Sequence, residues 1–199
     1  MAVSWTPHRF SGGALALDVA NTVVLRHDPK RRFDRFEAAS EFPRFAAAAS
    51  LFRRDELAGR SLAVADAAAV RSAVLPMREA TDLLFRHAIL AGSLDTLHLA
   101  DLLATCAAGL DGARDEIGVP GAAFGVSESP LRFEAAVAIS AVSLLEPARR
   151  ARIRICAHCG WLFLDRSRNR SRVWCDMTVC GNRTKARRHY LRQKESFDA

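Results

Sequence analysis

Four of the five cysteines, Cys156, Cys159, Cys175 and Cys180, fall within 25 residues near the end of a 199-residue chain. Their order, Cys-x2-Cys-x15-Cys-x4-Cys, has the paired-ligand format of a zinc ribbon or related finger, so two chain segments must converge on one ion. The first pair suits a knuckle in which a tight turn aims both sulfurs at the metal. Gly160, directly after it, supplies the backbone freedom such a turn needs. Four thiolates complete a Zn²⁺ tetrahedron and leave no open position, so the expected cofactor is structural zinc. His158 and His189 are weaker alternatives, the first lying between better-spaced sulfurs and the second nine residues past Cys180. Metal binding to a module this small is worth on the order of 10–16 kcal/mol at neutral pH, so the module should lose its fold without the ion. Cys106, in Leu102-Leu103-Ala104-Thr105-Cys106-Ala107-Ala108, reads as a buried core thiol.

Charge divides the chain at nearly the same place. The formal net charge is +7, but residues 1–148 hold 15 Lys/Arg against 18 Asp/Glu, giving −3, and residues 149–199 hold 14 against 4, giving +10. A basic segment of that density suits a polyanion, either nucleic acid or an acidic protein surface. A membrane surface fits less well, because the segment has no long amphipathic apolar face. No apolar run reaches the roughly 20 residues of a membrane span. The apolar stretch Ala14–Leu25 is broken by Asp18 and Asn21 and makes a poor secretory signal. These features predict a cytoplasmic protein.

Upstream of the cysteines the composition is rich in Ala, Leu and Arg, all good helix formers. Val70, Val74, Met77, Leu84 and Ala88 recur at helical spacing and predict a helix over 66–91, with Arg71, Arg78, Glu79 and Arg86 largely outside the core. Ser93 or Asp95 can cap a second helix ending near Gly109, giving a helical hairpin. Further helices are expected over 14–26, over 37–52 with an interruption near Pro43, and over 132–145, the last deeply buried and ended by Pro147. A short β-hairpin is expected across Pro120-Gly121, pairing 117–119 with 122–126. Asp18 and Asn21 share one helical face amid apolar neighbours. They are a candidate ligand pocket, with a satisfied hydrogen-bond network as the preferred alternative.

Within the cysteine segment, Trp161-Leu162-Phe163-Leu164-Asp165, a polar turn around Ser167–Ser171 and Val173-Trp174 read as a β-hairpin returning the chain to the metal. At these residues the chain resembles a known family. Cys180-Gly181-Asn182-Arg183, preceded by Cys156-x2-Cys159-Gly160-Trp161-Leu162-Phe163-Leu164-Asp165 and Trp174-Cys175, resembles the CGNR zinc finger. Leu15–Thr22 is similar to the LDFVNT-like start of the ABATE domain that usually precedes that finger, with Val19-Ala20 standing where that motif carries a large aromatic followed by Val. The resemblance implies a bacterial stress-response regulator of transcription, with the finger binding DNA.

Arg166, Arg168, Arg170 and Arg172 alternate with Ser167, Asn169 and Ser171, and in extended conformation they would project from one side at roughly 6–7 Å intervals. Arg183, Lys185, Arg187, Arg188, Arg192 and Lys194 follow the last ligand on an expected helix, with Asn182 at its start. Together they are candidate phosphate and base contacts. Four thiolates and one Zn²⁺ sum to −2, so some of these arginines must answer the metal site. Trp161, Phe163 and Trp174 are expected to pack beside the metal in preference to stacking on bases, and Asp165 to pair with an arginine. No Ser/His/Asp triad, phosphate-binding glycine loop or HExxH helix is present, and the expectation is not an enzyme.

The predicted architecture is mainly α with a small β-hairpin. A helical domain over 1–150 serves sensing of a small-molecule effector or homodimerisation, and a four-cysteine finger with a basic C-terminal helix occupies 151–199. DNA is the expected partner. RNA or an acidic protein, with purely structural zinc, is the alternative.

Overall fold

The computed structural model describes residues 3–111, 113 and 129–197, without the side chains of residues 188, 189, 192 and 195–197. The β-hairpin expected across Pro120-Gly121 lies outside the described residues. Elsewhere the mainly helical prediction holds. Helix α1 (Leu15–Ala20) is followed by a two-residue antiparallel ladder, β1 (Val23–Val24) with β2 (Phe33–Asp34). Then come α2 (Glu41–Phe52), β3 (Leu62–Ala63), α3 (Ala67–Ala91) and α4 (Thr96–Leu110). Strand β4 (Leu131–Arg132) pairs parallel with β3 and leads into α5 (Phe133–Ser143) and the single turn α6 (Pro147–Arg150). The chain closes with the antiparallel pair β5 (Ile153–Ile155) and β6 (Leu162–Leu164), a π turn over Met177–Gly181, and α7 (Asn182–Phe197).

The predicted helical hairpin is formed by α3 and α4. Asp66 caps α3 by accepting from the amides of Ala68 and Ala69, and Gly92 ends it at φ 75°, a left-handed conformation that costs glycine little. Asp95 caps α4 through Leu97 and His98. Pro76 lies inside α3 without ending it. Burial of Val74 and Met77 on either side offsets a propensity cost of about 3 kcal/mol. Helix α5 packs against α1, α3 and α4. Gly109 of α4 lies so close to α3 and α5 that an added Cβ would stand 2.4 Å from Met77 Cε and 3.3 Å from the Glu134 carbonyl oxygen. Phe42 and Phe45 of α2 enter an aromatic cluster with Phe36 and Phe133.

Several boundaries differ from the periodicity. The first helix stops at Ala20 instead of Arg26, because the β-branched Val23 and Val24 pair with β2. Pro43 does not interrupt α2. It lies in the helix's first turn, where a missing N–H removes no intrahelical bond. Pro147 begins α6 after α5 has ended at Ser143. Arg78, expected outside, is 4 % exposed. Its guanidinium donates to Thr22 Oγ1 at 3.2 Å and Asp34 Oδ1 at 2.7 Å and pairs with Glu79, because the β1–β2 ladder covers that side of α3.

Non-local bonds hold α1. Its residue before the first turn, Ala14, has no capping side chain. The amides of Leu15 and Ala16 instead donate to Glu56 Oε2 at 2.9 Å and Ser140 Oγ at 3.0 Å, while Ser140 Oγ donates to Glu56 Oε1 at 2.6 Å. Asp18 is 1 % exposed. Its carboxylate pairs with Arg53 through both oxygens and accepts the Gly12 amide. Burial pushes this carboxyl up to about 6 against the pull of Arg53. Asn21 Nδ2 donates to the Leu162 carbonyl at 2.8 Å and Asn21 Oδ1 accepts the Leu162 amide at 3.0 Å. These two side chains are therefore engaged in a satisfied hydrogen-bond network, and Asn21 ties α1 directly to β6.

Asn21→Ala leaves a buried N–H and a buried C=O of Leu162 without their partner. The expected result is a lower urea midpoint, corresponding to roughly 3 kcal/mol of lost stability, with an unchanged denaturant slope.

Candidate metal centre

The sulfurs converge through two short devices. In the first, β5 and β6 pair in the register Ile153↔Leu164, Arg154↔Phe163 and Ile155↔Leu162. The Cys156 amide donates to the Trp161 carbonyl at 2.8 Å, and the Gly160 amide closes the knuckle onto Cys156 O at 2.9 Å. Gly160 takes φ 74°, as the sequence anticipates for a residue ending the knuckle. In the second, Asp176 caps the π turn by accepting the amides of Thr178 and Val179. The Cys180 and Gly181 amides both donate to Asp176 O, which coils Cys180 back beside Cys175.

The hairpin differs from the expected one. Strand β6 pairs backwards with β5, a strand preceding the first cysteine, and residues 171–174 return to the metal without strand structure. A single amide bond, Ala157 to Val173 O at 3.1 Å, links that return to the knuckle. The alternation Ile153-Arg154-Ile155 is the signal for β5, obscured by the surrounding arginines. Residues 166–172 likewise form a turn and not an extended comb. Arg170 donates its amide to Ser167 O and takes φ 49°, which breaks the extended alternation of the four arginines. Asp165 organises this turn. It is fully buried and accepts the Ser167 amide at 2.8 Å and the Arg172 amide at 3.0 Å. Although burial opposes it, these bonds hold its carboxyl below the usual carboxylate range. Its role is thus backbone capping, with Arg172 as the arginine that gives it both an amide and a nearby positive charge.

Cys159 Sγ lies 3.6 Å from Cys175 Sγ, which lies 3.7 Å from Cys180 Sγ, and all four sulfurs are within 4.8 Å of one another. A disulfide requires about 2.05 Å. Sulfurs at about 2.3 Å from a tetrahedral Zn²⁺ stand roughly 3.8 Å apart, so the donor set fits the ion. Hydrogen bonds among the four sulfurs favour the thiolate at Cys156 and Cys175 and the thiol at Cys159 and Cys180. Hydrogen bonds from Cys159, Cys175 and Cys180 hold the Cys156 thiolate far down, while its presence drives Cys159 and Cys180 far up. Zn²⁺ resolves the conflict by stabilising all four thiolates together. The four sulfurs fill its coordination, and the centre is structural. His158 stands apart, with Nδ1 3.3 Å from Thr184 Oγ1, and the His189 side chain is outside the description.

Phe163 and Trp161 are 0 % and 4 % exposed and pack with the cysteines, with Trp174 partly buried beside them. Their faces are therefore engaged by the protein, as expected. Arg172 lies 5.3 Å from the Phe163 ring centroid and donates to Cys175 O at 2.5 Å. Arg166 donates to Gly13 O at 2.7 Å. Among the described residues, no hydrogen-bond or ion-pair partner holds the exposed side chains of Arg168 and Arg170. Asn182, Arg183, Lys185 and Arg187 are exposed on α7, while the side chains of Arg188 and Arg192 are outside the description.

Residues far upstream complete the centre. His8, in a 3₁₀ turn over Pro7–Phe10, bonds Asp176 Oδ2 at 2.8 Å and stacks on Trp161 at 5.4 Å. Arg35 stands 5.2 Å from the same Trp161 ring, and Arg86 of α3 donates to Gly160 O at 3.0 Å. Nothing in the spacing of residues separated by 168 positions announces such partners. Cys106 behaves as read from its neighbours: it is 2 % exposed, and burial pushes its thiol up to about 11.

The geometry defines a four-sulfur structural zinc module seated on a helical body. Residues 152–193 match the family model of the CGNR zinc finger, a match that runs from the start of β5 into α7. No curated protein and no solved structure matches the chain.

Elemental analysis of the purified chain should find stoichiometric zinc. Cys175→Ser should lose it, whereas Cys106→Ala should retain it. In the zinc-loaded native protein, Cys106 should resist a thiol reagent until the helical body unfolds, since its thiol is both buried and raised.

Proposed function

We propose that the chain binds duplex DNA through the arginines of the 166–172 turn and the exposed face of α7, and that it acts in transcriptional control. The observation that carries this reading is the set of exposed cations left after structural ones are removed. Arg166 and Arg172 are engaged by backbone carbonyls. Arg168, Arg170, Arg183, Lys185 and Arg187 remain exposed, with no carboxylate partner among the described residues. Cations displayed on a rigid metal-held scaffold neutralise phosphates and release counterions at little conformational cost. Asn182, at the start of α7, is positioned with them for a base or phosphate contact.

The resemblance of Cys180-Gly181-Asn182-Arg183 to a finger associated with DNA supports the same reading. The helical body, by its likeness at Leu15–Thr22 to a domain preceding such fingers, is proposed to sense an effector or mediate dimerisation. No helix among the described residues is long and apolar enough to cross a membrane.

If about six phosphates are neutralised, log K for duplex DNA should fall with log salt at a slope near −5. Absence of binding by the zinc-loaded chain at low salt would sink the proposal, and tighter binding to single-stranded RNA or to an acidic polypeptide would replace it. Arg168→Ala with Arg170→Ala should retain zinc and reduce the magnitude of the slope by about 2. Loss of zinc in that variant would assign these arginines to the thiolates instead.

A further inference from the structure

A cleft of about 430 Å³ lies where the 3₁₀ turn and the β1–β2 ladder meet the finger and the start of α7. Arg9, Arg31, Arg35, Arg183 and Arg187 line it, with His8 and His158, and none of its described lining residues is acidic. Arg31 has its own partner, Asp28, at 2.5 Å. Arg9, Arg35, Arg183 and Arg187 have no carboxylate partner among the described residues. Arg35 is 6 % exposed, and among the described residues its guanidinium meets the Asn21 carbonyl at 3.3 Å and the Phe33 and Trp161 rings but no carboxylate. Two buried donors in residues of this wall, Arg9 Nε and Trp161 Nε1, have no hydrogen-bond partner among the described residues. Buried donors and a buried cation in that condition are costly unless something supplies acceptors and negative charge.

The thiolate centre supplies part of the answer. Cys159 and Cys180 reach the cleft, which places the metal centre on the same wall as Arg35. A loaded site of net charge −2 does not balance four unpaired guanidiniums. Arg9 also feels burial and the repulsion of Arg183. Like charges drawn from residues 9, 35 and 183 into one recess are favourable when an anion sits among them.

We propose that this cleft binds the terminal phosphate of a small molecule, held by Arg9, Arg35 and Arg183 and bridging the helical body to the finger. Guanidinium forks match the oxygens of a phosphate in paired, charge-assisted bonds. The volume is that of a small-molecule site, and Val24 and Leu25 in its wall offer an apolar surface for the remainder of the ligand. A phosphodiester inside a nucleic-acid chain carries one charge and is flanked by sugars, so it suits a recess that holds the buried Arg35 less well than a terminal dianion does. The site stands whether or not the finger binds DNA.

The test is calorimetric titration of the zinc-loaded full chain with inorganic phosphate, against chloride at equal ionic strength. Saturable binding is expected for phosphate alone, weakened about tenfold in Arg9→Gln and in Arg183→Gln, with zinc content unchanged. Arg54→Gln, an exposed arginine outside the cleft, should leave phosphate binding unaffected. A raised urea midpoint in phosphate gives a second reading of the same event. Phosphate heats equal to those of chloride would overturn the site, as would binding that both variants retain. If phosphate fails to bind and Arg9→Gln instead weakens duplex DNA, the cluster belongs to a nucleic-acid surface. If zinc is lost from both variants, it is charge compensation for the thiolates. Either outcome rejects the proposal. A failure of DNA binding alone, with phosphate still bound, would remove only the function proposed for α7.

Discussion

The alternation of strand β6 joins the parts of this molecule. Successive side chains of a strand point to opposite faces, and here Leu162 and Leu164 enter the helical core while Phe163 packs with the cysteines. The backbone between them is held on one edge by β5 and on the other by the side-chain amide of Asn21, at the end of α1. The metal module is consequently not an appendage on a linker. Its orientation is fixed by the same strand that completes the body's apolar core, and sulfur geometry and helix packing constrain each other through a few residues of backbone.

That coupling explains the expensive polar contacts around the centre. His8, Arg35 and Arg86 reach it from the 3₁₀ turn, the end of the β1–β2 ladder and α3, each meeting a group of the knuckle or the π turn. A small domain has little apolar surface to bury around four sulfurs. Borrowed side chains from the body supply packing and hydrogen bonds that the module's own residues cannot. The same borrowing draws guanidiniums towards a loaded centre of charge −2, and the distribution of arginines follows from it. Some are held against carbonyls and rings, some crowd the cleft beside Cys159, and the remainder stand in solvent.

Much of this was legible from residue order. The sulfur set follows from Cys-x2-Cys and Cys-x4-Cys spacing, because thiolate chemistry leaves few other uses for such a cluster. Asp66, Asp95 and the Val70-Val74-Met77 stripe mark the helical hairpin, because capping and helical periodicity act within a turn or two. Arg78 shows where this reasoning ends. Its position on the helix suggests solvent, and only the arrival of Asp34 and Thr22 from another element makes its burial tolerable. The 166–172 segment fails as an extended comb for a similar reason: Asp165 gathers its amides into a turn, a choice that alternating charge does not reveal.

By itself the sequence determined the chemistry of the ion, the helical character of the body and the concentration of positive charge after residue 148, since ligand spacing, periodicity and charge are properties of residue order. The tertiary structure alone decided which strand β6 pairs with, that Asp18 and Asn21 are engaged in bonding, and which arginines remain exposed. Those outcomes depend on partners that no local pattern announces, from Arg53 for Asp18 to Leu162 for Asn21, 141 positions away, and a buried polar group's state is set by whichever donor or acceptor the fold brings to it.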